Sequence, residues 1–435
     1  MLAEHLITRL AELIPNPKDK FAIAFSGGGD STALVHALKG HPHHGPVFIV
    51  DHALRAGSND EAKSAKAFAQ KCGYDAQIFT WQNNLPKTGL QEKARRARYG
   101  LMGQACREQG IKYLLTAHSR DDQAETLLMR YDKKTDWRGA VGMSPMRYGA
   151  VWPELAEVTI CRPLLDISRE ELRDYNRAQG LSWVDDPSNE NREFNRIQAR
   201  DYLTSRSSLK DDFVATAKDL SLGLQVERKR YLAELKSVQF GRSGEITLSA
   251  FPSAEFMSRA IRCVGGSGRP INRQKFVQLY QRLKSEEINQ FTYLGAQVVR
   301  DGGKIILSRD IVAVTGRSDK NISPQAKSMP LTPIPQLWDG RFLISSEGEG
   351  YVTCPNYNLK IPRSKTLKKS LASTHKSARP TTPVITYQNM AYALEELDGV
   401  DAKCLIEPRL TATLLNQNRI NPEILCKITV VGSLF

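Results

Sequence analysis

The chain has 435 residues, 41% of them hydrophobic, and a formal net charge of +14 at neutral pH. That length suits two or three domains, and the positive excess favours an anionic partner, nucleic acid first. No run of about 18 apolar residues is present to span a membrane, and Met1 to Leu13 mixes acids and bases with Leu and Ile at helical spacing instead of forming a secretory core. The seven cysteines, at 72, 106, 161, 263, 354, 404 and 426, include no Cys-x-x-Cys pair. This argues against thiol-bound zinc or a disulfide framework and points to a reducing, cytoplasmic setting.

Phe21 to Phe25 is a short apolar run that predicts a buried strand, and Thr32 to Leu38 predicts the first turns of a helix. Between them lies Ser26-Gly27-Gly28-Gly29-Asp30-Ser31. A glycine-rich turn between strand and helix is a phosphate cradle. Its backbone N–H groups approach an anion with no Cβ in the way, and the helix N-terminus adds unsatisfied donors and a positive dipole end. Ser26 and Ser31 add hydroxyl donors. No Gly-Lys-Ser/Thr follows, so this is not a Walker loop, and Asp30 stands where such loops carry lysine. A carboxylate beside phosphates calls for a cation between them, so the loop implies Mg²⁺ at Asp30. The plainer reading is a glycine turn that caps a helix, with Asp30 as a first-turn acid.

Val47 to Asp51 predicts a second strand, ending at Asp51-His52. Ser58 is placed to cap a helix to Lys71, with Glu61 as the reciprocal partner. Ala76 to Trp81 predicts a third strand, Leu90 to Gln109 an Ala-, Arg- and Glu-rich helix, and Lys112 to Ala117 a fourth strand. Then come His118 to Gln123 and an apolar helix through Glu125 to Met129. Strands separated by helices predict an α/β fold with a parallel, doubly wound sheet. Right-handed crossovers gather the strand C-terminal ends at one edge, where ligands bind near the switch point. Residues 26–31, Asp51-His52 and His118 to Asp122 all fall at such ends. Asp122 and Glu125, three apart, share a helix face. Dipole capping explains two acids there; with Asp121 and His118 beside them the cluster also suits Mg²⁺ or an ammonium group.

After about residue 205 the pattern changes. Asp212 to Val238 predicts a helix interrupted at Leu222-Gly223, and further helices follow around Pro252 to Arg262 and Asn272 to Leu283. Gln297 to Ser308 predicts a hairpin turning at Asp301-Gly302-Gly303. These suggest a small, mainly helical middle domain over 206–315. Gly316 to Pro335 predicts a linker. Beyond it, Arg341 to Ser345, Tyr351 to Thr353 and Ile428 to Val431 suggest a mixed or mainly β domain over 336–435. Within it, Arg363 to Arg379 carries Lys365, Lys368, Lys369, Lys376 and Arg379 with no acid, which marks an RNA contact or a solvated loop.

The Ser-Gly-Gly-Gly-Asp-Ser loop resembles that of the PP-loop ATP pyrophosphatases, which split ATP between its α and β phosphates to adenylate a substrate. Further motifs narrow the resemblance. They are Val50-Asp51-His52-Ala53-Leu54-Arg55, Gly89-Leu90-Gln91-Glu92-Lys93-Ala94-Arg95-Arg96-Ala97-Arg98-Tyr99, and the block from His118 to Thr126. Arg162-Pro163-Leu164-Leu165, Asp185-Asp186-Pro187-Ser188-Asn189 and Phe194-Asn195-Arg196-Ile197 follow. Together they are similar to the tRNA(Ile)-lysidine synthetases, in that family's order, over most of residues 20 to 205. One stretch departs: family members often carry an Arg-Gly-Ser-Gly turn soon after the Glu-Thr helix, whereas Arg130-Tyr131-Asp132-Lys133-Lys134-Thr135-Asp136-Trp137 stands here.

The resemblance implies a PP-loop ATP-binding catalytic domain over 1–205 and a tRNA-binding C-terminal domain. It implies ATP as substrate with Mg²⁺, and adenylation at C2 of the wobble cytidine in the CAU anticodon of tRNA(Ile). Free L-lysine then displaces AMP to give lysidine, which changes the tRNA's identity from Met to Ile. Ser26, Gly27, Gly28, Gly29, Asp30 and Ser31 would bind ATP, with Asp30 on the metal. Asp30, His118, Asp121 and Asp122 would serve the chemistry, and Asp122, Glu125 and Asp186 would hold lysine. Arg95, Arg98, Arg196, Arg200, Lys365, Lys368 and Lys369 would meet tRNA or substrate anions; for Arg98, solvation on an amphipathic helix competes. The expected setting is cytoplasmic, away from membranes, and a homodimer is left open. A tRNA thiolase is the alternative within the superfamily, but no cysteine falls in the motifs where such enzymes carry theirs. A non-catalytic RNA-binding protein would not need Asp30 and the acids of the second motif.

Overall fold

In the computed structural model the described residues are all except 1, 54–56, 83–88, 133–141, 185–194, 205–209, 216–228, 317–327, 356–361 and 416–435. Contacts divide the chain into two units, Met1–Arg228 and Lys229–Phe435.

The first unit begins with α1 (Leu2–Leu13), β1 (Phe21–Phe25), α2 (Gly29–Ala37), β2 (His44–Asp51), α3 (Ser58–Lys71) and β3 (Ala76–Thr80). It continues with α4 (Leu90–Glu108), β4 (Tyr113–Leu115), α5 (Arg120–Asp132), β5 (Met146–Tyr148), β6 (Thr159–Cys161), α6 (Arg169–Ala178) and α7 (Asn195–Thr204). The strands form one sheet in the order β3-β2-β1-β4-β6-β5. Its pairs are parallel except β5 against β6. Alternation along β1 explains why both faces are covered. Phe21, Ile23 and Phe25 join one apolar core with Leu34, Val35, Val47 and Ile49. Ala22 joins a second, on the other face, with Phe48, Tyr99, Met102 and Leu114. The chain builds outward from β1 to β3, then returns to lay β4 on the other flank of β1. The crevice beyond the C-terminal ends of β1 and β4 is therefore the switch point.

One local expectation changes. The start of α3 is capped by Gly57 at φ 89°, with no side-chain cap, so Ser58 is already inside the helix. Glycine takes that left-handed conformation without the strain a serine would meet. A capping box forms instead at α6, where Ser168 and Glu171 bond each other's backbone N–H. Helix α5 starts at Arg120, which puts Asp121 and Asp122 in its first turn, as the shared helix face of Asp122 and Glu125 requires.

The second unit opens with β7 (Val238–Phe240), β8 (Ile246–Leu248), α8 (Ala254–Val264), α9 (Arg273–Lys284), β9 (Gln290–Tyr293), β10 (Ala296–Asp301), β11 (Lys304–Arg309) and α10 (Ile311–Thr315). The expected hairpin is β10–β11, turned by Gly302 and Gly303 at φ 55° and 77°. Helices α8 and α9 share a core with an antiparallel sheet ordered β7-β8-β11-β10-β9. Next come β12 (Met329–Pro330), β13 (Gln336–Trp338), β14 (Phe342–Ser346), β15 (Tyr351–Thr353), α11 (Lys365–Ser373), β16 (Val384–Tyr387), β17 (Met390–Ala393), β18 (Val400–Cys404) and α12 (Ile406–Leu415). They form two further antiparallel sheets, β12-β15-β16-β17 and β13-β14-β18. Ile406, Leu410 and Leu414 of α12 return to the core of the five-stranded sheet, so the chain's later segment closes the earlier one. The strand expected at 428–431 and the helix interruption at 222–223 lie outside the described residues. Among those described, no helix is long and apolar enough to cross a membrane.

Candidate active site at the switch point

The glycine loop is shaped by its own hydroxyls and backed by a distant segment. Gly27 sits at φ 80°, where a side chain would be strained. Ser31 Oγ donates to Gly28 O at 2.9 Å and lies 3.1 Å from Ser26 Oγ. Behind the loop, Asn176 Nδ2 donates to Gly29 O at 2.9 Å and Val184 N donates to Gly27 O at 3.0 Å. A Cβ on Gly29 would come within 3.3 Å of the Trp183 ring. These contacts hold the start of α2 toward a cavity of about 900 Å³, whose wall includes Ser26, Asp30, His52, Arg98, His118, Asp122 and Arg169. The three strand ends singled out in the sequence thus share one cavity.

An ion-pair network sits beside the loop, centred on a residue that the motifs did not single out. Arg169, the first residue of α6, meets Asp30 at 3.5 Å, Asp122 at 3.0 Å and Glu125 at 3.2 Å. Its backbone N–H donates to Asp121 at 2.8 Å. Arg200 Nε donates to Glu125 at 2.9 Å, and Lys210 Nζ lies 2.8 Å from Asp121. Arg200 therefore faces the acid cluster. Among the described residues, Asp30, Asp121, Asp122 and Glu125 thus meet Arg169, Arg200 and Lys210.

Burial tells most at Asp30. Burial lifts its carboxyl to about 6; Arg169 opposes the rise, while Asp122 and Asp121 add to it. Asp121 goes the other way: burial pushes it up, but hydrogen bonds from the Arg169 amide and from Lys210 outweigh that and leave it below the usual range. For Arg169, burial is outweighed by Asp122, Glu125, Asp30 and Asp121, so its pKa rises and it stays charged.

Arg98 of α4 also lines this cavity, beside Tyr99. Arg95 and Arg98 lie 4.9 and 5.2 Å from the Tyr99 ring centre. Burial would raise the Tyr99 phenol, but Arg98, Arg95 and Arg162 outweigh it and lower its pKa. The buried Nε of Arg98 and Nδ1 of His52 have no hydrogen-bond partner among the described residues. Burial, then Arg98, hold the His52 pKa below its ordinary value. His118 Nδ1 lies 2.8 Å from Thr116 Oγ1. Asp186 and the side chain of Arg196 lie outside the described residues. Lys365, Lys368 and Lys369 belong to α11 of the second unit, where all three are exposed. Among the described residues no group of three or more His, Cys, Asp or Glu is arranged to hold a metal. Asp30 alone fits the way Mg²⁺ is usually bound beside a nucleotide, through one or two carboxylates completed by phosphate oxygens and water.

Of the residues involved, Arg169, Asn176, Trp183 and Val184 escape sequence reasoning. The one local signal near them is the Ser168–Glu171 capping spacing, which places Arg169 at a helix start but says nothing of what it faces.

The family model described as the PP-loop domain matches residues 2–207. A tRNA(Ile)-lysidine synthase of Ruegeria pomeroyi is 30% identical over 361 residues, covering 79% of this chain and 80% of that one. One from Caulobacter vibrioides is 28% identical over 383 residues, covering 86% and 85%. One from Wolbachia pipientis is 26% identical over 430 residues, covering 92% and 95%. A solved U34-tRNA thiolase from Methanococcus maripaludis aligns at 17% identity with a TM-score of 0.42, covering 50% of this chain and 78% of that one.

Proposed function

Because the chain belongs to the tRNA(Ile)-lysidine synthase family, we propose that it uses ATP to join free L-lysine to C2 of the wobble cytidine in the CAU anticodon of tRNA(Ile). The cytidine oxygen attacks the α-phosphorus of ATP and pyrophosphate leaves. The ε-amine of lysine then adds to C2, AMP departs with that oxygen, and the amine gives up a proton. The observation that carries the reading is the meeting of the glycine loop, Asp122, His118 and Arg98 in one cavity.

Each part has a task that its chemistry suits. The N–H groups at the start of α2, with Ser26 and Ser31, hold phosphate oxygens as charge moves onto the leaving pyrophosphate. Asp30 would hold Mg²⁺ beside the phosphates, and the ion would supply neutralising charge there. Asp122 and Glu125 offer carboxylates to the lysine ammonium, with Asp186 as a third, and a carboxylate there can accept the proton that attack releases. His118 and Asp121 complete the acidic edge, Asp121 by fixing the start of α6. Arg95, Arg98 and Arg196 meet the anticodon's phosphates, and Lys365, Lys368 and Lys369 meet phosphates elsewhere on the tRNA. A tRNA substrate places this work in the cytoplasm.

The test is pyrophosphate release from ATP in the presence of tRNA carrying a CAU anticodon, followed by mass analysis of the modified nucleoside. The expected product gains lysine at the wobble cytidine only when lysine and ATP are both present. Pyrophosphate release without lysine incorporation, or sulfur incorporation in its place, would overturn the assignment.

A further inference from the structure

The proposed lysine seat is already taken, which raises the question of where its occupant goes. Arg169 pairs with both Asp122 and Glu125, and Glu125 Oε1 also receives Arg200. Glu125 is 1% exposed. A lysine ammonium added while Arg169 stays would crowd a third cation onto Glu125. Removing Arg169 with nothing in its place would leave buried carboxylates short of charge, which is costly. Exchange of one cation for the other avoids both penalties.

The structure also offers a second seat. Arg169 Nε already lies 3.5 Å from Asp30 Oδ2, within the phosphate loop. Its backbone is pinned by the Ser168 cap and by the bond from its N–H to Asp121. The side chain can therefore turn without moving α6. A guanidinium is well matched to phosphate oxygens, and the loop places them on the side where Asp30 stands.

We propose that Arg169 is a resident counterion with two alternative anionic seats, the Asp122–Glu125 pair in the empty enzyme and the ATP phosphates in the loaded one, so that nucleotide binding clears the seat for the substrate ammonium. This rests on the reading that lysine docks at Asp122 and Glu125. Binding of the two substrates is then positively coupled, and by linkage the coupling is reciprocal. It also sets an order on the reaction, because the amine finds its carboxylates only after the phosphates have drawn Arg169 away.

The experiment is calorimetric titration of L-lysine into the full chain, with and without a non-cleavable α,β-methylene ATP analogue and Mg²⁺. The titration is repeated for Arg169→Ala and Arg169→Lys, with folding checked by circular dichroism. In the unaltered protein the analogue should tighten lysine binding by about tenfold. In Arg169→Ala lysine should bind without nucleotide as tightly as it binds the unaltered protein with it, and the analogue should add nothing. Arg169→Lys keeps a charge at the seat and should retain part of the coupling; it also decides the matter if the alanine variant misfolds. Full coupling in folded Arg169→Ala, or no coupling in the unaltered protein, would overturn the two-seat inference alone. If the unaltered protein binds the analogue but takes up no lysine even with CAU-anticodon tRNA added, the lysine reading fails and the inference falls with it.

Discussion

Each unit holds a buried network of charges, and the two are built to opposite specifications. In the second unit, Asp339 meets Arg309 at 2.7 Å and Arg341 at 2.8 Å. Arg341 is fully buried and also donates to Ser243 O and Thr381 O; Arg309 also donates to Gly265 O and Gly295 O. In the first unit Asp30, Asp121, Asp122 and Glu125 meet Arg169, Arg200 and Lys210 beside an open cavity, and burial lifts the Asp30 carboxyl to about 6. At Asp339 burial pushes the carboxyl up, but Arg341 and Arg309 outweigh it and hold it below its ordinary range. One network is enclosed within its unit, its charges bonded to one another and to backbone carbonyls, as a structural joint requires. The other opens onto a cavity that Asp30, Asp122, Arg169 and Arg200 all line, and that opening is what distinguishes a site from a brace.

The sharpest way to break this comparison is to remove an acid from each network. Asp339→Ala should cost about 3–5 kcal/mol, because it strands two buried guanidiniums, and a urea titration followed by circular dichroism would measure it. Asp30→Asn should act in the opposite direction on stability while cutting tRNA-dependent pyrophosphate release by about 100-fold or more. The sign follows from linkage. Between about pH 4 and pH 6 the folded chain holds a proton on Asp30 that the unfolded chain has released, so stability falls as pH rises through that window and the full penalty persists above it. Removing the carboxyl should therefore raise stability by about 1–3 kcal/mol at pH 7, with the gain vanishing below about pH 4. Asp339, depressed in the folded state, has the reverse profile: its contribution is present above its ordinary range and is lost as pH falls through the folded value. If Asp30→Asn is destabilising at pH 7, the two networks are of one kind and the contrast fails.

A smaller effect sharpens the contrast within the first unit. Asp122→Asn or Glu125→Gln should chiefly raise the lysine requirement, since a lost charge-assisted contact costs about 1.5–3 kcal/mol. The measurement is the KM for lysine beside the KM for ATP. A lysine KM that stays put while ATP binding fails would assign these acids to the metal and nucleotide.

What the sequence made legible was what chain order and local pattern determine. Apolar runs of strand length, separated by helices, gave the parallel sheet, and the rule that strand ends gather at one edge brought Asp30, His52 and Asp122 to one cavity. The glycine loop was legible because its chemistry is carried by six consecutive residues. Arg169, Asn176 and Trp183 were not, because they act across 139, 147 and 154 residues of chain and no periodicity records such distances. The capping box was assigned to Ser58, whose spacing suits it, but Gly57 ends the turn at φ 89° and starts the helix one residue sooner. Arg200 carries the charge expected of an anion ligand, yet the nearest anion is Glu125. Sequence gives a side chain's charge, while the fold chooses its partner.

The second unit also carries charge that belongs to neither network, and here the expected effect is smallest. Ser364 caps α11 by accepting from Leu367 N at 3.0 Å, and Leu367 and Leu371 are buried, which turns Lys365, Lys368 and Lys369 outward. What composition left open between an RNA contact and a solvated loop is thus a capped amphipathic helix with a basic outer face. Lys376, from the same basic stretch, lies 3.9 Å from Asp301, so its charge is partly met within the protein. A surface of this kind binds a polyanion by releasing its counterions. Replacing Lys365, Lys368 and Lys369 together with alanine should weaken tRNA binding and flatten its salt dependence, each lost phosphate contact lowering the log–log slope by roughly 0.7–0.9. Turnover at saturating tRNA should hold near its original value, because the glycine loop and the acid cluster belong to the other unit. A salt titration of tRNA binding, run beside saturating kinetics, separates the outcomes. An unchanged slope would make the lysines plain solvated surface. An unchanged affinity with a collapsed maximal rate would mean that this helix acts on the catalytic cavity, and that the two units differ less in task than their charge networks indicate.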